Sequence, residues 1–144
     1  MNRRTLLALA LLPAAARAEA PEVLALAGQP VLELARHPAV GPRLRSMAAG
    51  RQRLVSDTLR GPGPPLAISA PWIHGHAATE AARVFLGFDT QTESVVILLL
   101  DGGRPSLFIP PRVAPWPAAL RPALMEFAPE IAAQMRFNEP AARP

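Results

Sequence analysis

The chain of 144 residues contains no cysteine and no tyrosine, and all of its basic side chains other than histidine are arginines. The absence of cysteine excludes disulfides and all thiol chemistry. The absence of lysine excludes a phosphate-binding loop ending in Lys-Ser/Thr. No serine stands in the Gly-x-Ser-x-Gly setting of a hydrolase nucleophile. These absences disfavour an enzyme, and no cofactor is expected.

The composition nevertheless predicts a folded domain. Half of the residues are apolar and 18% are charged, which is enough to form a packed core. The 18 prolines and 9 glycines indicate short elements joined by many turns. The length predicts a single domain.

The first residues have the pattern of an export signal. Arg3 and Arg4 precede an apolar run, Thr5–Leu12, that is too short to cross a bilayer, and small residues then form a cleavage frame ending at Ala18. We therefore predict a signal peptide over residues 1–18, one domain over 19–137 and a frayed tail over 138–144. The predicted location is the periplasm, without stable membrane insertion after cleavage. The alternative is an uncleaved anchor or a buried N-terminal helix.

Much of the positive charge belongs to this signal. The formal net charge is +4, and removal of residues 1–18 takes away three arginines and leaves a nearly neutral chain. Such a chain does not have the basic footprint of a nucleic-acid-binding protein. An arginine-rich stretch remains over residues 36–60, where Asp57 is the single acid. It is either a solvated helix face or a contact surface for anionic lipid or polysaccharide.

Helices are predicted at both ends of the domain. Residues 22–36 are interpreted as two short helical pieces with a break, and residues 40–59 as one amphipathic helix of about five turns. The Gly/Pro run over residues 61–65 ends that helix. Helical composition returns over residues 118–135, where Pro122 and Pro129 mark helix starts.

Four short runs rich in Val, Ile, Leu and Phe predict strands over residues 66–73, 83–89, 94–100 and 105–109. The last three are expected as successive hairpins, and Val95–Leu100 has no polar residue, so it should be covered on both faces. The predicted class is α+β: an antiparallel sheet of about four to five strands, against which an N-terminal amphipathic helix and a C-terminal helix pack on one side. Trp72 and Trp116 are expected in the core rather than in a ligand site.

The segment over residues 73–82 is predicted as a loop between two strands, and it carries His74 and His76 on either side of Gly75. Three interpretations remain open. The histidines are surface polar residues, they bind a metal together with Glu80 or His37, or the loop is pushed into a partner's cleft. Histidine suits the third role because it both donates and accepts hydrogen bonds and titrates near neutral pH.

This segment resembles the loop of the periplasmic inhibitors of vertebrate lysozyme, whose hallmark is Cys-Lys-Pro-His-Asp/Asn-Cys. Residues 73–78 align with those six positions without a gap, and His76 falls on the histidine of the hallmark. Ile73 and Ala78 stand in the places of the two half-cystines. The hydrophobic strands that follow, the preceding helix with its Pro-rich exit, Trp116-Pro117 and the export signal occur in a similar order.

The resemblance implies an exported, non-enzymatic inhibitor of a lysozyme-like muramidase. His76 would enter the active-site cleft and hydrogen-bond the catalytic carboxylates, with His74, Gly75 and Ala77 shaping the loop and Ile73 and Ala78 anchoring it. Alternatives from other classes are a periplasmic metal-binding protein or enzyme that uses His74 and His76, and a non-inhibitory envelope interaction module of the same fold. A homodimer is also an open alternative.

Overall fold

A five-stranded antiparallel sheet in the order β1-β2-β3-β4-β5 forms the centre of the fold. The structure is a computed structural model that describes residues 22–138. The predicted signal peptide and residues 139–144 of the predicted tail lie outside the described residues. The strands are β1 (Ala67–Ser69), β2 (Trp72–Ala78), β3 (Ala82–Asp89), β4 (Val95–Asp101) and β5 (Arg104–Phe108).

The two strands β3 and β4 are apolar on both faces, so both faces of the sheet can be covered by other elements. Along β3, Val84, Leu86 and Phe88 point to one side, and Phe85 points to the other. The uninterrupted apolar run in β4 is buried throughout, which confirms that this strand is central and covered on both faces. The predicted α+β class and the hairpins from β3 to β5 are therefore confirmed.

Three helices cover the first face of the sheet. They are α1 (Val31–Arg36), α2 (Gly41–Met47) and α3 (Gln52–Leu59), and they pack against β2, β3 and β4. The prediction of one five-turn helix over residues 40–59 was wrong. The chain leaves the helix after Met47, and Gly50 has a φ of 82°, a left-handed conformation that glycine adopts without steric cost.

The opposite face is covered by the C-terminal part of the chain. Here α4 (Arg121–Phe127) and α5 (Pro129–Ala132) follow 3₁₀ turns at Pro111–Val113 and Ala118–Leu120. A short parallel pair, β6 (Trp116–Pro117) with β7 (Phe137–Asn138), completes this layer. Because helices cover both faces, the expectation of helices on one side was wrong, and the fold has three layers.

Each face has its own apolar core. The core under α1–α3 is built around Leu34, Val84 and Leu86, all fully buried. The core under α4 and α5 contains Trp72 and Trp116, which confirms that the tryptophans are core residues. None of the helices within residues 22–138 is long and apolar enough to cross a membrane.

Candidate functional site

The segment predicted as a loop is a strand. Residues 73–78 all belong to β2, which pairs with β3 along its whole length. The prediction failed because the small residues Gly75 and Ala77 were interpreted as loop residues, although they lie on the side of β2 that faces the first core. A Cβ on Gly75 would lie 2.9 Å from Leu66 Cδ2 and 3.2 Å from Val31 Cβ. Gly75 therefore permits close packing of the helix layer and does not provide loop flexibility.

His74 and His76 lie on the opposite side of β2, towards α4, because alternate residues of a strand face the same way. His74 is 8% exposed. Its Nε2 lies 2.9 Å from Ser69 Oγ on β1, within hydrogen-bond distance, and its ring stacks on Phe85 with 5.7 Å between centroids. Burial, and secondarily the neighbouring His76, lowers the pKa of His74, while Glu126 opposes the shift. His74 is thus a buried residue with its own partner.

His76 is partly exposed. Its ring lies 5.0 Å from the ring of Phe127 at the end of α4. Burial and the Arg83 guanidinium lower the pKa of His76, and Glu126 partly offsets them. The lowered pKa favours the neutral imidazole at neutral pH, and this form offers one donor and one acceptor.

Arg83 holds the end of α4 next to His76. Its guanidinium lies 5.3 Å from the Phe127 ring centroid and donates to the Phe127 carbonyl oxygen at 2.9 Å. The same side chain lies 3.5 Å from a carboxylate oxygen of Glu130 on α5. These contacts between β3 and the C-terminal helices fix the aromatic ring on which His76 rests.

The exposed connection from β2 to β3 is a tight turn over residues 79–81. The Thr79 amide donates to the Ala82 carbonyl at 2.8 Å, and Thr79 Oγ1 accepts from the amides of Ala81 and Ala82 at 3.3 Å each. Thr79, Glu80 and Ala81 are all exposed. This ordered turn, and not residues 73–78, is the part of the chain that protrudes beyond the sheet beside His76.

The segment Gly61–Pro65 runs along the other edge of β2, beyond the end of β1. The Ala78 amide donates to the Pro62 carbonyl at 3.0 Å. A Cβ on Gly63 would lie 1.9 Å from the His76 carbonyl oxygen, so only glycine permits this approach. The run that was interpreted as a helix terminator therefore also supports the strand that carries His76.

Sequence reasoning singled out His76 but not its spatial neighbours Phe127, Arg83 and Glu126. Glu126 and Phe127 lie far from His76 along the chain, and nothing local to residues 121–130 distinguishes them from other positions of an amphipathic helix. Arg83 is close in sequence, but its contact with Phe127 depends on the tertiary fold. The metal hypothesis has no third ligand: within residues 22–138, no group of three or more His, Asp or Glu side chains could hold an ion. His37, one proposed third ligand, follows α1 in the layer on the opposite face of the sheet.

Comparison with models of known families puts the chain among protein inhibitors of an enzyme rather than among enzymes. The family model that matches is described as Inhibitor of vertebrate lysozyme (Ivy), and it covers residues 39–130, more than half of the chain. The chain belongs to the Ivy family, and membership implies lysozyme as its binding partner. No curated protein and no solved structure matches. The resemblance inferred from residues 73–78 is thus confirmed at the level of the family, in a chain without cysteine.

Proposed function

We propose that this chain inhibits a lysozyme-like muramidase by covering its active-site cleft, and that it does so in the periplasm after removal of residues 1–18. The observation that carries this proposal is the family match, which spans α2, α3, the whole five-stranded sheet and α4. The surface that we assign to the enzyme is the end of the sheet at which β2 turns into β3.

His76 and the turn over residues 79–81 form that surface. His74, Gly75 and Ala77 are buried beneath it, so they position His76 and do not themselves contact the enzyme. In place of the disulfide of the family loop, Ile73 is anchored by complete burial in the first core and Ala78 by its hydrogen bond to Pro62. The contact surface is therefore ordered before binding, which reduces the entropy cost of association.

The chemistry of the target suits a neutral imidazole. Lysozyme keeps one catalytic carboxylate ionised and the other protonated, and a neutral imidazole can donate to the first and accept from the second. Burial and Arg83 lower the pKa of His76, which further favours its neutral form at pH 7. Glu80 at the tip of the turn and Glu126 near His76 add two acidic groups to this end of the molecule beside the one basic group of Arg83, which favours encounter with a cationic enzyme.

The test is lysis of bacterial walls by lysozyme, followed as turbidity, with the purified protein and its variants. Loss of a hydrogen bond to a charged group costs about 1.5–3 kcal/mol, so His76→Ala should weaken inhibition about tenfold or more. His37→Ala, a change on the opposite layer, should leave inhibition unchanged. His76→Gln serves as a second variant, since an amide keeps both a donor and an acceptor and should retain part of the inhibition.

The outcomes separate the parts of the proposal. If the wild-type protein inhibits and His76→Ala inhibits equally, His76 is not the contact residue, although inhibition stands. If the wild-type protein inhibits no lysozyme class, the proposed function is wrong and the chain is an envelope interaction module. Light scattering of the purified protein tests the homodimer, which stays a prediction.

A further inference from the structure

A cavity of about 460 Å³ lies among α1, α2 and α3, on the opposite side of the sheet from His76. Its size falls within the range of small-molecule sites. Its polar lining comes from all three helices and the residues that follow them: Arg36, His37, Arg45, Ser56 and Arg60. The lining contains no acidic residue, since Glu33 and Asp57 belong to α1 and α3 but do not line the cavity.

Among residues 22–138, no ion pair involves the three guanidinium groups at this cavity. Elsewhere, Arg43 pairs with Glu93, Arg51 with Asp101 and Arg83 with Glu130. Within residues 22–138, no carboxylate lies within 4 Å of the charged groups of Arg36, Arg45 or Arg60. These arginines therefore place three unpaired positive charges around one cavity, whereas residues 19–144 carry nearly equal numbers of arginines and acids.

The uncharged polar groups of the cavity can also donate hydrogen bonds. His37 Nδ1 accepts a hydrogen bond from the Ala39 amide at 3.0 Å, so in the neutral ring the proton lies on Nε2. Ser56 adds a hydroxyl that can donate. Leu44 and Leu59, which are almost completely buried, form an apolar floor. The cavity thus offers hydrogen-bond donors and positive charge above apolar surface.

We propose that this cavity is a second binding site, which takes the phosphate group of an organic phosphate. Guanidinium groups match phosphate oxygens with paired N–H donors, and three of them around one opening favour a doubly charged group over a single carboxylate. The apolar floor and the volume leave room for the organic part of the ligand. The site is separate from the surface assigned to lysozyme and does not depend on inhibition.

The experiment measures binding of pyrophosphate by calorimetry and of vesicles by co-sedimentation. The vesicles contain phosphatidylcholine alone or phosphatidylcholine with phosphatidylglycerol. The cavity variant is the triple change Arg36→Gln, Arg45→Gln and Arg60→Gln. The control is the triple change Arg53→Gln, Arg104→Gln and Arg112→Gln, which removes the same charge from exposed arginines outside the cavity.

We expect the wild-type protein to bind pyrophosphate or the phosphatidylglycerol vesicles. The affinity should fall at least about tenfold in the cavity variant and less than about twofold in the control. Saturable binding of pyrophosphate would identify a site for soluble phosphates. Binding of phosphatidylglycerol vesicles without pyrophosphate would identify a lipid headgroup as the source. Equal losses in the two triple variants, or no binding of either probe, would overturn the proposal.

Discussion

The two faces of the sheet differ in what they bury. The face under α1–α3 buries mainly aliphatic side chains and Phe88, with Gly75 allowing the helices to lie close to the strand. The face under α4 and α5 buries both tryptophans and, at its open end, two histidines against Phe85 and Phe127. The first face thus provides an apolar base, and the second carries the polar groups that we assign to the contact with the enzyme.

This comparison predicts that a large truncation in the first core lowers stability without changing inhibition by the folded protein. Phe88 is 1% exposed, and Phe88→Ala should lower the free energy of unfolding by about 3–5 kcal/mol. Urea denaturation measures the loss, and the turbidity assay measures inhibition per folded molecule. If Phe88→Ala does not fold, Phe88→Leu provides the same test with a smaller loss of stability. If inhibition per folded molecule also falls in these variants, the separation between a stabilising first face and an inhibitory second face is contradicted.

A change on the second face should have the opposite effect: a small loss of stability and a clear loss of inhibition. Phe127→Leu keeps an apolar side chain, so the free energy of unfolding should fall by less than about 2 kcal/mol. Inhibition should nevertheless weaken several-fold, because the ring beneath His76 and Arg83 is lost. Denaturation and the inhibition constant are measured on the same preparation. An unchanged inhibition constant would show that Phe127 has only a packing role.

The smallest expected effect is the pH dependence that the two histidines confer. Their pKa values are lowered in the folded state, whereas the unfolded chain has the ordinary value of about 6.5. Below that pH the unfolded state binds more protons, so the histidines' contribution is fully present above about pH 6.5 and is lost as the pH falls towards the lowered pKa values.

Thermal unfolding at pH 7.5 and pH 5 tests this contribution. The melting temperature of the wild-type protein should fall on acidification, and the double variant His74→Gln, His76→Gln should lose less. Glutamine retains hydrogen-bonding capacity at both positions but does not titrate. An equal loss in the two proteins would show that other groups account for the whole effect.

The sequence was most informative where the pattern was strong and local. The apolar run Val95–Leu100 and the alternation along residues 84–88 identified the two central strands, and Pro122 and Pro129 lie at the starts of α4 and α5. The break at Gly50 was not predicted, because an apolar pattern at helical spacing continues across it. A hydrophobic pattern carries no information about the backbone conformation of one residue, so it does not reveal the left-handed conformation of Gly50.

The candidate site was predictable only in part. The family could be inferred from residues 73–78, and His76 was singled out there, but the segment was predicted as a loop and is a strand. Gly75 is required because Val31 and Leu66 approach it, a contact that depends on the tertiary fold. Likewise, the partnership of Arg83 with Phe127 joins residues 44 positions apart. The exposed turn at 79–81 could be recognised only after the register of β2 and β3 was known.

The central claim is that lysozyme binds the end of the sheet where β2 turns into β3. Hydrogen exchange of the protein, alone and in complex with lysozyme, tests it most directly. We predict slower exchange in the complex for the amides of residues 76–83, including the exposed turn, and no change over residues 36–60. Protection confined to residues 36–60, with unchanged exchange at the turn, would contradict the claim.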